Sequence, residues 1–249
     1  TKKFVKDDKI VGLVGGEHSV ILGYLETLAE KYKDFGILHI DAHSDLRKSY
    51  EGLEHSHASI FNNALKIESV SKLVQVGIRD FCEEENKFIE DNKKRISLFT
   101  DYEIKKEIFN GKTLKRKFNE IISKLPENVY ISFDIDGLVP YLCPNTGTPV
   151  PGGFTIEEMN FLLEGLLSKG KKIIEKLILE EPNNPENYFV KATIYYFKKK
   201  IDSLTICLEK ALDLGKDSMR VYREFYRYYH FKHEDKNTSL VYMSKMISL

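Results

Sequence analysis

Two rhythms of apolar residues alternate along the first two thirds of the chain. Short unbroken apolar runs, the mark of buried strands, are followed by stretches in which apolar residues recur every three or four positions, the mark of helices. Residues 9–14, Lys-Ile-Val-Gly-Leu-Val, read as a buried strand, and an amphipathic pattern follows through Leu22, Leu25, Leu28 and Ala29. Residues 36–40 form the next strand and residues 46–57 a polar loop. A helix is expected over residues 58–67, a strand over 72–78, a charged helix over 83–94, a short strand over 96–99 and helix over 102–125. Residues 128–136 are again a strand signal. A turn-rich loop over 143–153 then leads to Thr155, which can cap a helix with Glu158 three residues on. Strand and helix patterns alternating to about residue 170 predict an α/β fold, a parallel sheet flanked by helices.

Three of the strand ends carry chemistry. After residues 36–40 come Asp41, His43 and Asp45. In an extended chain these alternate positions face one side, so two carboxylates and an imidazole converge on one point. After residues 128–133 come Asp134 and Asp136. Two acids so close repel each other unless a cation lies between them. His18 follows Gly15-Gly16-Glu17, and glycines at a strand-to-helix turn permit close approach of a ligand. The Walker lysine and the G-x-G-x-x-G spacing are both missing, so this is not a phosphate loop. Open α/β sheets place ligands at the carboxyl ends of their strands, which puts all three groups on one rim. His18, Asp41, His43, Asp45, Asp134 and Asp136 are enough for two metal ions with shared carboxylates. Oxygen-rich sites of this kind suit hard or borderline divalent ions. His55 and His57 lie in the polar loop, where a further ligand, a proton shuttle and a plain surface histidine are all open readings.

Composition narrows the classes. Of 249 residues 42% are apolar, enough to bury a core, and 38 basic residues balance 38 acidic ones. That balance gives no sign of a nucleic-acid or anionic-membrane partner. Cys82, Cys143 and Cys207 are odd in number and far apart, which argues against a disulfide framework and fits a reducing cytoplasm. No apolar run reaches membrane-spanning length, and no signal-peptide core opens the chain. The absence of an initiator Met fits a fragment or a processed product.

Read together, six pieces resemble the ureohydrolase superfamily of arginases and agmatinases in order and approximate spacing. They are Gly15-Gly16-Glu17-His18-Ser19, Asp41-Ala42-His43-Ser44-Asp45, His57-Ala58-Ser59, Val76-Gly77-Ile78-Arg79, Ser132-Phe133-Asp134-Ile135-Asp136, and Thr146-Gly147-Thr148-Pro149 with Gly152-Gly153. Asp45-Leu46-Arg47 and Ser56-His57-Ala58-Ser59 are more similar to agmatinases. Arginases usually carry an Asn two residues after the last acid, where this chain has Arg47. The resemblance implies an arginase-like three-layer fold and a binuclear Mn²⁺ site. His18, Asp41, Asp45 and Asp134 would hold one ion or bridge both, and His43 and Asp136 would complete the other side. The two Mn²⁺ ions would make hydroxide from a shared water. That hydroxide would attack agmatine or another small guanidino compound, giving urea and, from agmatine, putrescine. Asp45 and His57 would serve catalysis, His57 as a proton relay near the leaving amine. Ureohydrolases are usually oligomers, so a homo-oligomer is expected.

The family pattern spans residues 9 to about 172. The chain therefore divides into an incomplete metal-binding α/β domain, residues 1–172, and an α-helical segment, residues 173–249. The family continues into a strand bearing a guanidinium-binding Glu, and by counting Glu180 falls in that register. From Ile173 onward the chain resembles tetratricopeptide repeats, with Ala192, Tyr195, Tyr196, Ala211 and Leu212 at helical spacing. Tyr222, Phe225, Tyr226, Tyr228 and Tyr229 read as packing residues, and His230 and His233 as exposed. The alternative to an active hydrolase is a catalytically impaired remnant whose helical repeats dock a peptide or protein partner.

Overall fold

Parallel strands cannot be joined by tight turns, so each must be followed by a crossover, usually helical. The computed structural model, which describes residues 2–6 and 11–249, follows this order. A short α1 (Lys2–Lys6) comes first, then α2 (Leu22–Lys31), β1 (Phe35–Ile40), α3 (Ile60–Ala64), β2 (Val70–Ile78), α4 (Glu83–Asp91) and β3 (Ile96–Thr100). Next are α5 (Asp101–Phe109), α6 (Leu114–Ser123), β4 (Val129–Phe133) and α7 (Ile156–Glu180). The last elements are α8 (Pro185–Phe197), α9 (Ile201–Asp213), α10 (Ser218–Arg227) and α11 (Lys236–Ile247). The four strands form one parallel sheet in the order β3-β2-β1-β4. The chain divides into two compact units, Thr1–Gly165 and Leu166–Leu249.

The central strand explains itself. Every residue of β1 is buried, as expected for a parallel strand covered on both faces. Ile37 packs with Leu25 of α2, Phe61 of α3, Leu73 of β2 and Ile89 of α4 in one apolar cluster. Capping sets several boundaries. Gly111, at φ +92°, follows the end of α5, and Thr113 then caps α6 by accepting a hydrogen bond from Arg116 N. The single helix expected over residues 102–125 is therefore two. Thr155 and Glu158 hold each other's backbone N–H groups at 2.9 and 3.2 Å, the expected capping box at the start of α7. The helix expected over residues 58–67 is shorter and opens as a 3-10 turn, His57–Ser59.

The strand expected over residues 9–14 is corrected. Residues 9 and 10 lie outside the described residues. Residues 11–14 form no strand, and Leu13 and Val14 are 42% and 99% exposed. An apolar run becomes a strand only where a neighbour pairs its backbone. Both sides of β1 are already taken, by β2 and β4.

In the second unit, α8 packs on α9 and α10 on α11. Phe189, Leu204, Leu208, Val221 and Phe225 lie in its core, joined by Tyr228. Phe225 stacks on Tyr242 at 4.4 Å, and Tyr229 stacks on the same ring at 5.8 Å, so these aromatics are packing residues as expected. No helix among the described residues is long and apolar enough to cross a membrane.

Gly77 is where β2 loses register with β3. It sits at φ +87°, and a Cβ there would meet Phe154 Cε2 at 2.8 Å and Asp41 O at 3.3 Å. Gly77→Ala is therefore expected to lower unfolding stability by about 1–3 kcal/mol, read by urea denaturation. An unchanged midpoint would show that the backbone relaxes freely there.

Candidate metal centre

In an open parallel sheet a ligand crevice opens where successive connections leave in opposite directions. Here the chain steps from β1 outward to β2 and β3, then returns to the other side of β1 as β4. The switch lies between β1 and β4, and both acidic runs emerge there. Asp134 N donates to Ile40 O at 2.9 Å, and Ala42 N donates to Asp136 Oδ1 at 3.1 Å.

Residues 41–45 converge, but not by strand alternation. β1 ends at Ile40, and the following segment keeps only an isolated bridge, between His43 and Asp80. Asp41 Oδ1 accepts from His43 N at 2.7 Å, and Asp45 adopts φ 54°, in the left-handed region that Asp tolerates better than most residues. The strand expected over residues 128–136 ends at Phe133; Asp134 caps a 3-10 turn, Ile135–Gly137, that contains Asp136, and Asp134 Oδ1 accepts from Asp136 N at 3.1 Å. His18 opens another 3-10 turn, His18–Ile21, and follows no strand among the described residues, which corrects its expected placement.

The structure brings six of the sequence-derived residues together. Around His18 Nδ1 lie Asp41 Oδ2 at 3.1 Å, Asp45 Oδ2 at 3.1 Å and Asp134 Oδ2 at 3.6 Å. Beside them, His43 Nδ1 lies 3.1 Å from Asp136 Oδ2 and 3.5 Å from Asp41 Oδ1. Asp41 belongs to both groups and offers one oxygen to each.

Neighbours set which ring nitrogens face inward. Ser132 Oγ holds His18 Nε2 at 2.7 Å, and Thr148 Oγ1 holds His43 Nε2 at 3.2 Å, so each ring turns Nδ1 toward the carboxylates. The Arg79 guanidinium binds the carbonyls of Asp136, Leu138 and Val150 and fixes the loop between β4 and Thr148. Sequence reasoning missed Ser132, Thr148 and this clamp, and it also missed His39. Fully buried in β1, His39 places Nε2 2.8 Å from Asp41 Oδ2 and joins a four-residue group with His18, Asp41 and Asp45 that could hold an ion. Its signal was present, because residue 39 lies two positions before Asp41 in the same run.

The other two expected site residues have different surroundings. His57 is exposed, with Nδ1 3.8 Å from Glu17 Oε1 and its ring against Tyr50. Glu180 ends the helix α7 rather than standing on a strand, and it pairs with Lys176 at 3.4 Å.

Electrostatics fit a cation. Burial opposes charge on His18, yet Asp41 and Asp45 raise its pKa to about 10. Asp136 and Asp41 raise His43 to about 10 as well. Burial opposes ionisation of Asp41, but His39, His18 and His43 hold its carboxyl well below the usual range. Burial pushes Asp45 up to about 7, and burial with Asp41 and Asp136 nearby raises Asp134. Without metal, protons on the imidazoles supply the positive charge that the acids require. His18 Nδ1 is buried and makes no directed hydrogen bond among the described residues, although three carboxylates face it. Once a cation displaces the imidazole proton, Nδ1 offers a lone pair among oxygen donors, the donor set of a borderline divalent ion.

Residues 1–178 match the arginase family. The N(1)-aminopropylagmatine ureohydrolase of Thermus thermophilus is 35% identical over 181 residues, 73% of this chain and 58% of the relative. The agmatinase of Halalkalibacterium halodurans is 32% identical over 167 residues, 67% of this chain and 52% of the relative. The crystal structure of a putative agmatinase from Clostridium difficile superposes with a TM-score of 0.54 at 32% identity, covering 67% of this chain and 55% of that one. The chain thus spans little more than half the length of these relatives.

A divalent cation entering the cluster must displace the protons on His18, His43 and, below its pKa, Asp45. Binding of Mn²⁺ is expected to release protons, more below about pH 7 than above it, where Asp45 has already lost its own. Affinity is expected to rise with pH until the imidazoles titrate near 10. Mn²⁺ titration in weak buffer with a pH indicator measures this. Binding without proton release would show that the cation sits elsewhere.

Proposed function

The chain belongs to the arginase family, and from that premise we propose that its α/β unit hydrolyses the guanidino C–N bond of a small amidine such as agmatine. The observation that carries the reading is the convergence of six ligand-type residues at the β1/β4 switch, with Asp41 shared between two groups. His18, Asp41, Asp45 and Asp134 would hold one Mn²⁺, and Asp41, His43 and Asp136 a second. The pair would supply Lewis acidity that lowers the pKa of a water and stabilises developing charge.

The chain's own side chains do the rest. Asp45, buried beside His18, orients the attacking water and accepts its proton. The water oxygen bonds to the guanidinium carbon, the C–N bond to the alkyl amine breaks, and the amine leaves with a proton. His57, exposed beside Glu17 and Tyr50, would relay that proton. Agmatine as substrate, giving urea and putrescine, is supported by the names of the relatives and by Arg47 at the place where arginases usually carry Asn. The three free thiols fit a cytoplasmic setting, and the uncovered edges of β3 and β4 among the described residues fit a homo-oligomer.

A second reading is favoured by the helical setting of Glu180. In it the chain binds metal without turnover, and residues 173–249 form a separate domain that docks a peptide. Helices α8 and α10 start 33 residues apart and α9 and α11 start 35 apart, close to the tetratricopeptide period of about 34, which supports repeat-like stacking.

Urea release from agmatine with added Mn²⁺ tests the first reading. Turnover that is lost in Asp41→Asn and reduced about 10²–10⁴-fold in His57→Ala is expected. Tight Mn²⁺ binding with no urea from any guanidino compound would favour the second.

A further inference from the structure

His39 is unlike the other imidazoles of the cluster. It is fully buried, and its ring lies 3.9 Å from that of Phe61, which limits its tilt. Both ring nitrogens are engaged, Nε2 with Asp41 Oδ2 at 2.8 Å and Nδ1 with Gln75 Nε2 at 3.1 Å. The same Gln75 amide nitrogen donates to Ser44 O at 2.7 Å, and Ser44 Oγ donates to Gln75 Oε1 at 3.4 Å.

These contacts fix the protons. A backbone carbonyl only accepts, so the Gln75 amide nitrogen must face Ser44 O. A flipped amide would set two acceptors against each other. The second N–H of that nitrogen then points at His39 Nδ1, which must offer its lone pair. A neutral imidazole with a bare Nδ1 carries its proton on Nε2 and donates it to Asp41. Nε2 therefore has no lone pair for a metal, although it lies within the cluster.

We propose that His39, locked in one tautomer by Gln75, is a positioning residue that aims the Asp41 carboxylate across two cation sites and is not itself a ligand. The inference rests on reading the six residues as a two-cation centre. Each oxygen of Asp41 is pinned by one hydrogen bond and turned to a different imidazole. Oδ2 is held by His39 and faces His18 Nδ1 at 3.1 Å. Oδ1 is held by His43 N and faces His43 Nδ1 at 3.5 Å. Without the Nε2–H donor the carboxylate can rotate and give both oxygens to one site. A neutral donor also orients Asp41 without cancelling the charge that a cation needs.

The test combines Mn²⁺ binding with the tautomer. Nitrogen-15 NMR of the metal-free wild-type chain should show His39 with a protonated Nε2 and a bare Nδ1. Calorimetric titration should find two Mn²⁺ per wild-type chain, with the exchange-coupled EPR signal of a close pair. His39→Leu should weaken binding about 10–100-fold and lose the coupled signal. His39→Gln, whose amide nitrogen can stand in for Nε2, should restore most of both. A proton on Nδ1 would overturn the proposal, whether or not the leucine variant folds. So would wild-type binding in a folded His39→Leu, or a glutamine variant no better than the leucine one. A wild-type chain that binds no Mn²⁺ would sink the two-cation reading together with this inference, whereas normal wild-type binding with an unaffected leucine variant would sink this inference alone.

Discussion

Four carboxylates, those of Asp41, Asp45, Asp134 and Asp136, are packed where two neighbouring parallel strands end. Two unit charges 4 Å apart oppose each other by about 4 kcal/mol at an effective dielectric of 20. Such a group persists only with positive charge among its members. In the metal-free chain that charge is protons on His18 and His43, raised toward pKa values of about 10 by the acids around them. The surroundings are arranged to hold the cluster rather than to relieve it. Ser132 and Thr148 fix the imidazoles, Arg79 ties down the loop after Asp136, and Gly77 lets β2 pass within van der Waals reach of Asp41.

The sheet order is what makes this meeting possible. Because β4 returns beside β1, residues more than ninety positions apart in sequence are joined by direct hydrogen bonds, such as Ala42 N to Asp136 Oδ1. The buried faces of β1 and β2 keep these ends rigid, as suits a site that must hold ligands in place without an ion.

Much of this was legible in the chain. The apolar runs over residues 36–40, 72–78, 96–99 and 128–133 are strands, and the acids after the first and last of them lie together, though not through the alternation their spacing suggests. What failed, failed for physical reasons. The run at residues 11–14 has strand composition but pairs with none of the sheet's strands, and pairing is not a local property. Asp45 reaches the cluster through a left-handed turn that alternation does not foresee. Ser132, Thr148 and Gln75 matter only through which imidazole nitrogen they face, and spacing is silent about tautomers. His39 was in view throughout but was absorbed into an apolar run.

Beyond Gly165 the chain is helical, and its aromatic residues are spent on packing one another. That part is read from helix pairing alone, whereas the α/β unit is read from chemistry. The most direct measurement is anomalous diffraction at the manganese edge from crystals grown with Mn²⁺. Two peaks are expected, one among His18, Asp41, Asp45 and Asp134 and one among Asp41, His43 and Asp136. No peak at the β1/β4 switch, or ions bound only elsewhere, would contradict the assignment.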